Sequence, residues 1–312
     1  MTTRNYLFSL LMLSVMSGLT ACQNMQTKHA GTTAQAETPR APGAPIEPPP
    51  PPPAREEPKK VAVILGPGGA KALAHVGVLK AFQQQRVPIN KIIGLEWGAL
   101  IGGLYAVKGQ ANDVDWKLYK MEQKNLPRPK GGFFSHKLGD DSVKIMDDFF
   151  QDAFNNEEVG SAKIPFACPS RSIWTGVVNW QNRGPFKDVM KRCLPFPPLF
   201  KAQGTFLAGA SQVVEAIDRL RSEGFNVIIF VNVLGSAMPV GQDSLLDNLN
   251  YVILWQEIKR AAGEASKLNV DVVSVDTDQY PMVQFDGKKD LISAGELAGS
   301  NAAATLIQKY GF

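Results

Sequence analysis

The chain has little of what metal or thiol chemistry requires. Its 312 residues include three cysteines and three histidines. The histidines, His29, His75 and His136, share no metal-ligand spacing with cysteines or carboxylates, so no metal site and no cofactor is expected. A large charge of either sign is also missing: net charge is +4 with 20% charged residues, and Lys and Arg are spread along the sequence. That balance argues against a nucleic-acid partner. The apolar run Tyr6 to Val15 is too short to span a bilayer. What is plentiful is apolar side chain, at 44% of the chain. This is enough to bury the core of one medium-sized globular domain and speaks against disorder.

Residues 1–22 read as a signal peptide, with Arg4 as a positive start, the apolar run, and small residues leading into Cys22. Leu19-Thr20-Ala21-Cys22 resembles the bacterial lipobox, in which the cysteine is acylated and becomes the first mature residue. That resemblance implies a lipid anchor in the bacterial cell envelope, and Gln23 fits the outer membrane facing the periplasm. The alternatives are a cleaved signal peptide with Cys22 incidental, or an uncleaved anchor. Residues 23–59, with the run Pro48 to Pro53, cannot build a core and form a disordered, proline-rich linker. Polyproline II at about 3.1 Å per residue makes it a semi-rigid spacer reaching ~100 Å, or else a ligand for a proline-recognition module. Cys168 and Cys193 could pair in an oxidising compartment, but two cysteines fix no framework; buried free thiols are the expected state.

From residue 60 to 312 the pattern is that of an α/β domain. Val61 to Leu65 is a continuous apolar run that reads as a strand buried on both faces. Ala72, Val76, Leu79 and Phe82 then share a helical face that ends near Arg86-Val87-Pro88. A second strand is expected over Lys91 to Leu95 and a second helix over Trp97 to Val107. Strand, crossover helix, strand, helix opens a parallel sheet with right-handed connections. The alternation continues at Ile164 to Trp174, Val213 to Ser222, Asn226 to Leu234 and Val270 to Val275, with a last helix over Ala294 to Lys309.

Within Val61 to Val107 the chain resembles the patatin-like phospholipase family. Leu65-Gly66-Pro67-Gly68-Gly69-Ala70-Lys71-Ala72 stands where the family has its glycine-rich oxyanion loop. His75-Val76-Gly77-Val78-Leu79 follows, Gly94-Leu95-Glu96-Trp97-Gly98 lies at the G-x-S-x-G elbow, and Gly102 to Ala106 matches the helix beyond it. Weaker likeness runs through Ile164 to Gly176, Leu194 to Pro198, Val227 to Val233 and Val270 to Gly295. The resemblance implies a three-layer α/β/α fold with a mainly parallel central sheet.

It also implies a chemistry that this chain departs from. Such a site needs a serine oxygen on a tight strand-to-helix turn, a carboxylate to activate it, and N–H donors for the oxyanion. Position 96 carries Glu in place of the serine, and no other serine has glycine both two residues before and two after. The family's Asp-Gly-Gly or Asp-Gly-Ala string corresponds to Ala208-Gly209-Ala210. Losing both the nucleophile and its base removes the covalent mechanism, so no catalytic residue is assigned. Asp286-Gly287 is better explained as a turn.

Gly66, Gly68, Gly69 and Lys71 remain as a candidate anion-binding loop at a helix start, although Pro67 offers no N–H and the glycines could serve only close packing. Lys71 could equally be a solvated loop lysine. Three readings of Glu96 stay open: a built-in anion on the Gly68 and Gly69 donors, a carboxylate nucleophile, or a solvated glutamate on a drifted turn. His75 reads as a core residue, and His136 falls in the loop-like stretch Gly131 to Asp141. Trp97, Trp116, Trp174, Trp180 and Trp255 either line a lipid pocket or fill the core. The leading expectation is a catalytically inactive, lipid-anchored binding or scaffold protein for a lipid, an envelope component or a partner protein. An acyl hydrolase with atypical residues, and a structural protein with a filled cleft, are the alternatives.

Overall fold

The computed structural model describes residues 58–121, 125–126, 142–197, 199–237 and 249–312, without the side chains of 250 and 251. These belong to one compact unit, Glu56–Phe312. The segment expected as a signal peptide, Cys22, the expected linker up to residue 57, His29 and His136 lie outside the described residues.

Five consecutive apolar residues with no polar face can be satisfied only between two layers. The chain meets this by placing β1 (Val61–Leu65), every residue of it buried, in the middle of the sheet. Parallel neighbours flank it: β2 (Lys91–Gly94), in register from Ala62 opposite Lys91 to Leu65 opposite Gly94, and β6 (Val227–Asn232). β3 (Phe166–Ser172) lies parallel to β2, and β7 (Asp271–Ser274) parallel to β6. Two antiparallel strands extend β3: β4 (Val178–Gln181), joined to it as a hairpin, and β5 (Phe206–Ala208). The order is β4-β3-β2-β1-β6-β7, with β5 on β3.

After β1 a short 3-10 turn (Gly69–Leu73) leads into α1 (Ala74–Gln84), and β2 leads into α2 (Trp97–Lys108) and α3 (Ala111–Tyr119). Farther on come α4 (Asp147–Phe154), α5 (Phe186–Cys193), α6 (Val213–Ser222), α7 (Leu249–Lys267) and α8 (Lys288–Tyr310). The chain steps from β1 to β2 to β3 in one direction and from β6 to β7 in the other, so right-handed crossovers place α1 and α2 on one face and α7 on the opposite face. Contacts agree: α8 and α3 pack on α1, and α6 packs on α7. The fold is therefore a three-layer α/β domain with a mainly parallel sheet. Among the described residues no helix is long and apolar enough to cross a membrane.

Most element boundaries read from sequence hold to within a residue or two. Sequence periodicity does not announce α3, α4, β4, α5, β5 or α7, and it starts the last helix six residues late. Asp286 and Gly287 form a turn, and Gly287 caps α8.

The expectation of free thiols is overturned. Cys168 in β3 and Cys193 at the end of α5 form a disulfide, both residues buried. The cause is tertiary: α5 packs on β3 and brings the two Cα atoms to 6.1 Å, inside the bridging window, which a separation of 25 residues does not reveal. Closing a loop of this size is worth roughly 2–4 kcal/mol. Cys193→Ser should therefore lower the unfolding free energy by about that amount relative to the oxidised protein, and reductant should lower the wild type equally while leaving the variant unchanged. Equal stability of variant and oxidised wild type in urea titration would contradict the bridge.

Candidate functional site

The site forms at the carboxyl end of the sheet, where β1 and β2 both run into helices. The turn after β2 is closed by Leu95 N–H donating to the Leu65 carbonyl (2.9 Å) and Gly98 N–H donating to the Leu95 carbonyl (2.9 Å). A side chain is impossible on either flank of the motif. A Cβ on Gly98 would sit 2.3 Å from the Leu65 oxygen, and one on Gly94 2.3 Å from the Ala99 Cα. That is the physical content of glycine two residues before and two after position 96. The residue between them must take φ 54°, ψ −122°, a conformation that costs a non-glycine residue roughly 1–3 kcal/mol. The elbow is thus intact, and Glu96 stands on it.

Glu96 is completely buried. Its Oε2 accepts from the Gly68 N–H at 2.9 Å and the Gly69 N–H at 3.0 Å, so the two donors of the glycine-rich loop converge on one carboxylate oxygen. Pro67 has no N–H to add, and the pair of donors is formed after it. Oε1 is buried without a hydrogen-bond partner. Burial pushes the carboxyl up to about 7, against the opposing pull of the Gly68, Gly69 and Trp97 N–H groups, which favour the ionised form. The drifted, solvated glutamate is excluded by this geometry.

The other residues singled out from sequence are distributed around this contact. Gly66 faces away from it: its N–H donates to the Val231 carbonyl at 3.0 Å, and its own carbonyl accepts from His75 Nε2 at 2.8 Å. With Nε2 carrying the proton and Nδ1 buried without a partner, His75 is a neutral core imidazole, pushed down by burial to about 4. Lys71 is fully buried and not a solvated loop lysine. Its ammonium donates to the Leu234 carbonyl at 3.2 Å, and burial lowers its pKa, partly countered by Asp278 and Asp276.

Ala208 enters through the sheet. It pairs with Ser170, three residues beyond Ala167, while Glu96 lies three residues beyond Ile93, the partner of Ala167. Because Ser170 and Arg171 pair with β4 on their other side, β5 occupies the edge of β3 that β2 vacates. Ala208, buried, therefore lies past the same strand end that carries Glu96.

Sequence reasoning did not find the aromatic packing around the elbow. Trp97 is fully buried, its ring 4.6 Å from Phe285 and 6.3 Å from Phe200 between centroids. The segment ahead of α8 also ties down the loop, since Ala70 N–H donates to the Met282 carbonyl at 2.8 Å. The only local signal was the Asp286-Gly287 turn. Trp97 is core; Trp116 and Trp174 are exposed. Among the described residues no group of three or more His, Cys, Asp or Glu could hold a metal ion.

Comparison with known proteins places this geometry in context. Residues 63–215 match the family model described as patatin-like phospholipase. A lysophospholipase NTE1 of Coccidioides immitis is 26% identical over 189 residues, 56% of this chain and 12% of that protein. An uncharacterized NTE family protein of Mycobacterium tuberculosis is 26% identical over 190 residues, 59% of this chain and 52% of that one. The chain thus spans about half of the mycobacterial relative and a small part of the fungal one. Among solved structures, VipD from Legionella pneumophila is similar at a TM-score of 0.47 and 11% identity, covering 81% of this chain and 67% of VipD.

The two buried titrating groups give opposite pH signatures. Glu96, raised from 4.5 to about 7, makes the folded chain bind more protons than the unfolded one, so its contribution to stability falls as pH rises across that window. His75, lowered from 6.5 to about 4, contributes stability that grows as pH rises across its own window, and the two largely offset one another. Glu96→Gln removes only the first. Its stability relative to wild type should increase by about 3 kcal/mol between pH 4.5 and pH 8 when both are unfolded in urea. A difference independent of pH would contradict the buried, raised carboxyl.

Proposed function

Because the chain belongs to the patatin-like phospholipase family, we propose that it has kept the hydrolase scaffold and given up the reaction, its Glu96 carboxylate filling the place where an ester oxyanion would be held. One observation carries this reading: Glu96 Oε2 already accepts from both the Gly68 and Gly69 N–H groups. An ester carbonyl needs those donors empty as charge develops on its oxygen. It also needs a hydroxyl at position 96 and a carboxylate at position 208, where Glu and Ala stand.

The raised carboxyl of Glu96 favours a second reading, because a group titrating near neutrality suits a general base. Against it, Glu96 has no solvent exposure, Oε2 holds the donors that an oxyanion would need, and no serine occupies the elbow.

The role left to such a fold is binding or scaffolding. The fungal relative is named a lysophospholipase, and that likeness supports a lipid or acyl-bearing envelope component as the ligand class, with a partner protein as the other option. The lipobox-like Leu19 to Cys22 and the Cys168–Cys193 bridge together support a lipid-anchored protein of the bacterial envelope, at the outer membrane and facing the periplasm, since disulfides persist in oxidising compartments.

Purified protein should hydrolyse short-chain p-nitrophenyl esters and lysophospholipids no faster than buffer, about 10⁴-fold or more below an enzyme with both residues in place. A fluorophosphonate probe for activated serines should leave it unlabelled. Turnover abolished by Glu96→Ala, or stoichiometric labelling of any hydroxyl, would overturn the proposal.

A further inference from the structure

The antiparallel extension of the sheet carries a second feature that the site does not use. From Phe166 to Val214 the sequence holds Arg171, Arg183, Lys187, Lys191, Arg192 and Lys201 against a single acid, Asp188. This stretch alone is more positive than the whole chain. It folds as β3, β4, α5 and β5, bound together by strand pairing and the buried disulfide. At the tip of the β3–β4 hairpin, Ile173, Trp174 and Val177 are 45%, 78% and 56% exposed.

That tip is held open by its own hydrogen bonds. Ser172 N–H donates to the Val177 carbonyl at 3.0 Å, Gly176 N–H to the Ser172 carbonyl at 2.9 Å, and Ile173 N–H to the Thr205 carbonyl at 2.9 Å. The Arg171 guanidinium donates to the Gly176 carbonyl at 3.3 Å. With the backbone fixed in this way, the three apolar side chains stand exposed. Cations stand behind them. Arg171 is at the base of the hairpin, and Lys201 is exposed on the segment that leads to Thr205. Arg192 lies over the Phe206 ring, 5.5 Å from its centroid, and Phe206 pairs with Ser172. On its other side Arg171 borders a cleft with Glu215, Glu257 and Glu264, whereas Arg192 donates to the Gln181 amide oxygen at 3.2 Å and Lys201 is exposed.

We propose that this hairpin docks the domain on an anionic phospholipid surface, with Ile173, Trp174 and Val177 entering the headgroup–acyl boundary and Arg192 and Lys201 meeting lipid phosphates. Tryptophan with aliphatic neighbours suits a bilayer interface. A cationic shoulder behind an apolar wedge complements a negatively charged leaflet. This surface goes beyond the reading of Glu96 and would stand even if the protein hydrolysed esters.

The test uses the full chain with Cys22→Ser and Thr175→Cys, so that a polarity-sensitive fluorophore reports from the tip alone, whatever the N-terminal segment does. Vesicles containing phosphatidylglycerol should shift the label to the blue and brighten it, pure phosphatidylcholine should not, and high salt should reverse the change. In this background Trp174→Ser should weaken vesicle affinity on the order of tenfold, and Lys201→Ala several-fold, with the melting temperature unchanged because both side chains are exposed. A label silent on anionic vesicles, equal partition into neutral ones, or unchanged affinity in Trp174→Ser would overturn the proposal and leave the hairpin as a contact for a protein partner.

Discussion

Two backbone N–H groups at the start of a helix must have an acceptor, and in this protein the acceptor is a side chain of the chain itself. Gly68 and Gly69 donate to Glu96 Oε2, in a place from which water is excluded. Were the carboxylate removed, both donors would be buried and unpaired, at roughly 1–3 kcal/mol each. The contact is possible only because the β2–α2 turn holds its central residue at φ 54°, and that turn closes only because Gly94 and Gly98 have no side chains. Backbone strain at the elbow is offset by charge-assisted hydrogen bonds to the loop, so the loop, the turn and the two helices that follow are held as one unit.

How much of this was legible follows from the range of each interaction. β1 and α6 could be read directly because burial on both faces, or on one helical face, writes itself into adjacent residues. Glu96 was legible as the odd residue in a glycine-framed turn, and its partners followed from the glycine-rich loop. What could not be read depended on distant packing. The Cys168–Cys193 pair needs α5 laid on β3. The burial of Lys71 needs the Leu234 carbonyl, 163 residues away. The cover over Trp97 needs Phe200 and Phe285. α3 and β4 are not legible because apolar residues that face outward, such as the exposed Trp116 and the half-buried Trp180, blur the period that would announce them.

In the proposed reading, the arrangement around Ala208 is a scaffold kept without its reaction. β5 still occupies the edge of β3 beyond β2, so the backbone that would present an activating carboxylate remains, while the side chain there is a buried methyl. Nothing in the sheet register depends on the missing acid, since strand pairing uses main-chain groups alone. The elbow is similarly indifferent to chemistry: the same strained turn accepts a carboxylate that finds two donors. Stability and catalysis are separable here because the site's geometry is fixed by glycines and backbone hydrogen bonds, whereas the reaction would rest on two replaceable side chains.

The central claim is that one ionisable group, Glu96, sits on the Gly68 and Gly69 amides. Its most direct test is an NMR pH titration of those two amide resonances. Both should move together through a single midpoint near pH 7, the value to which burial pushes Glu96, and should stand still in Glu96→Gln. Midpoints near 4.5, or amide shifts that persist unchanged in the variant, would show that the carboxyl is solvated and the donors are held by something else.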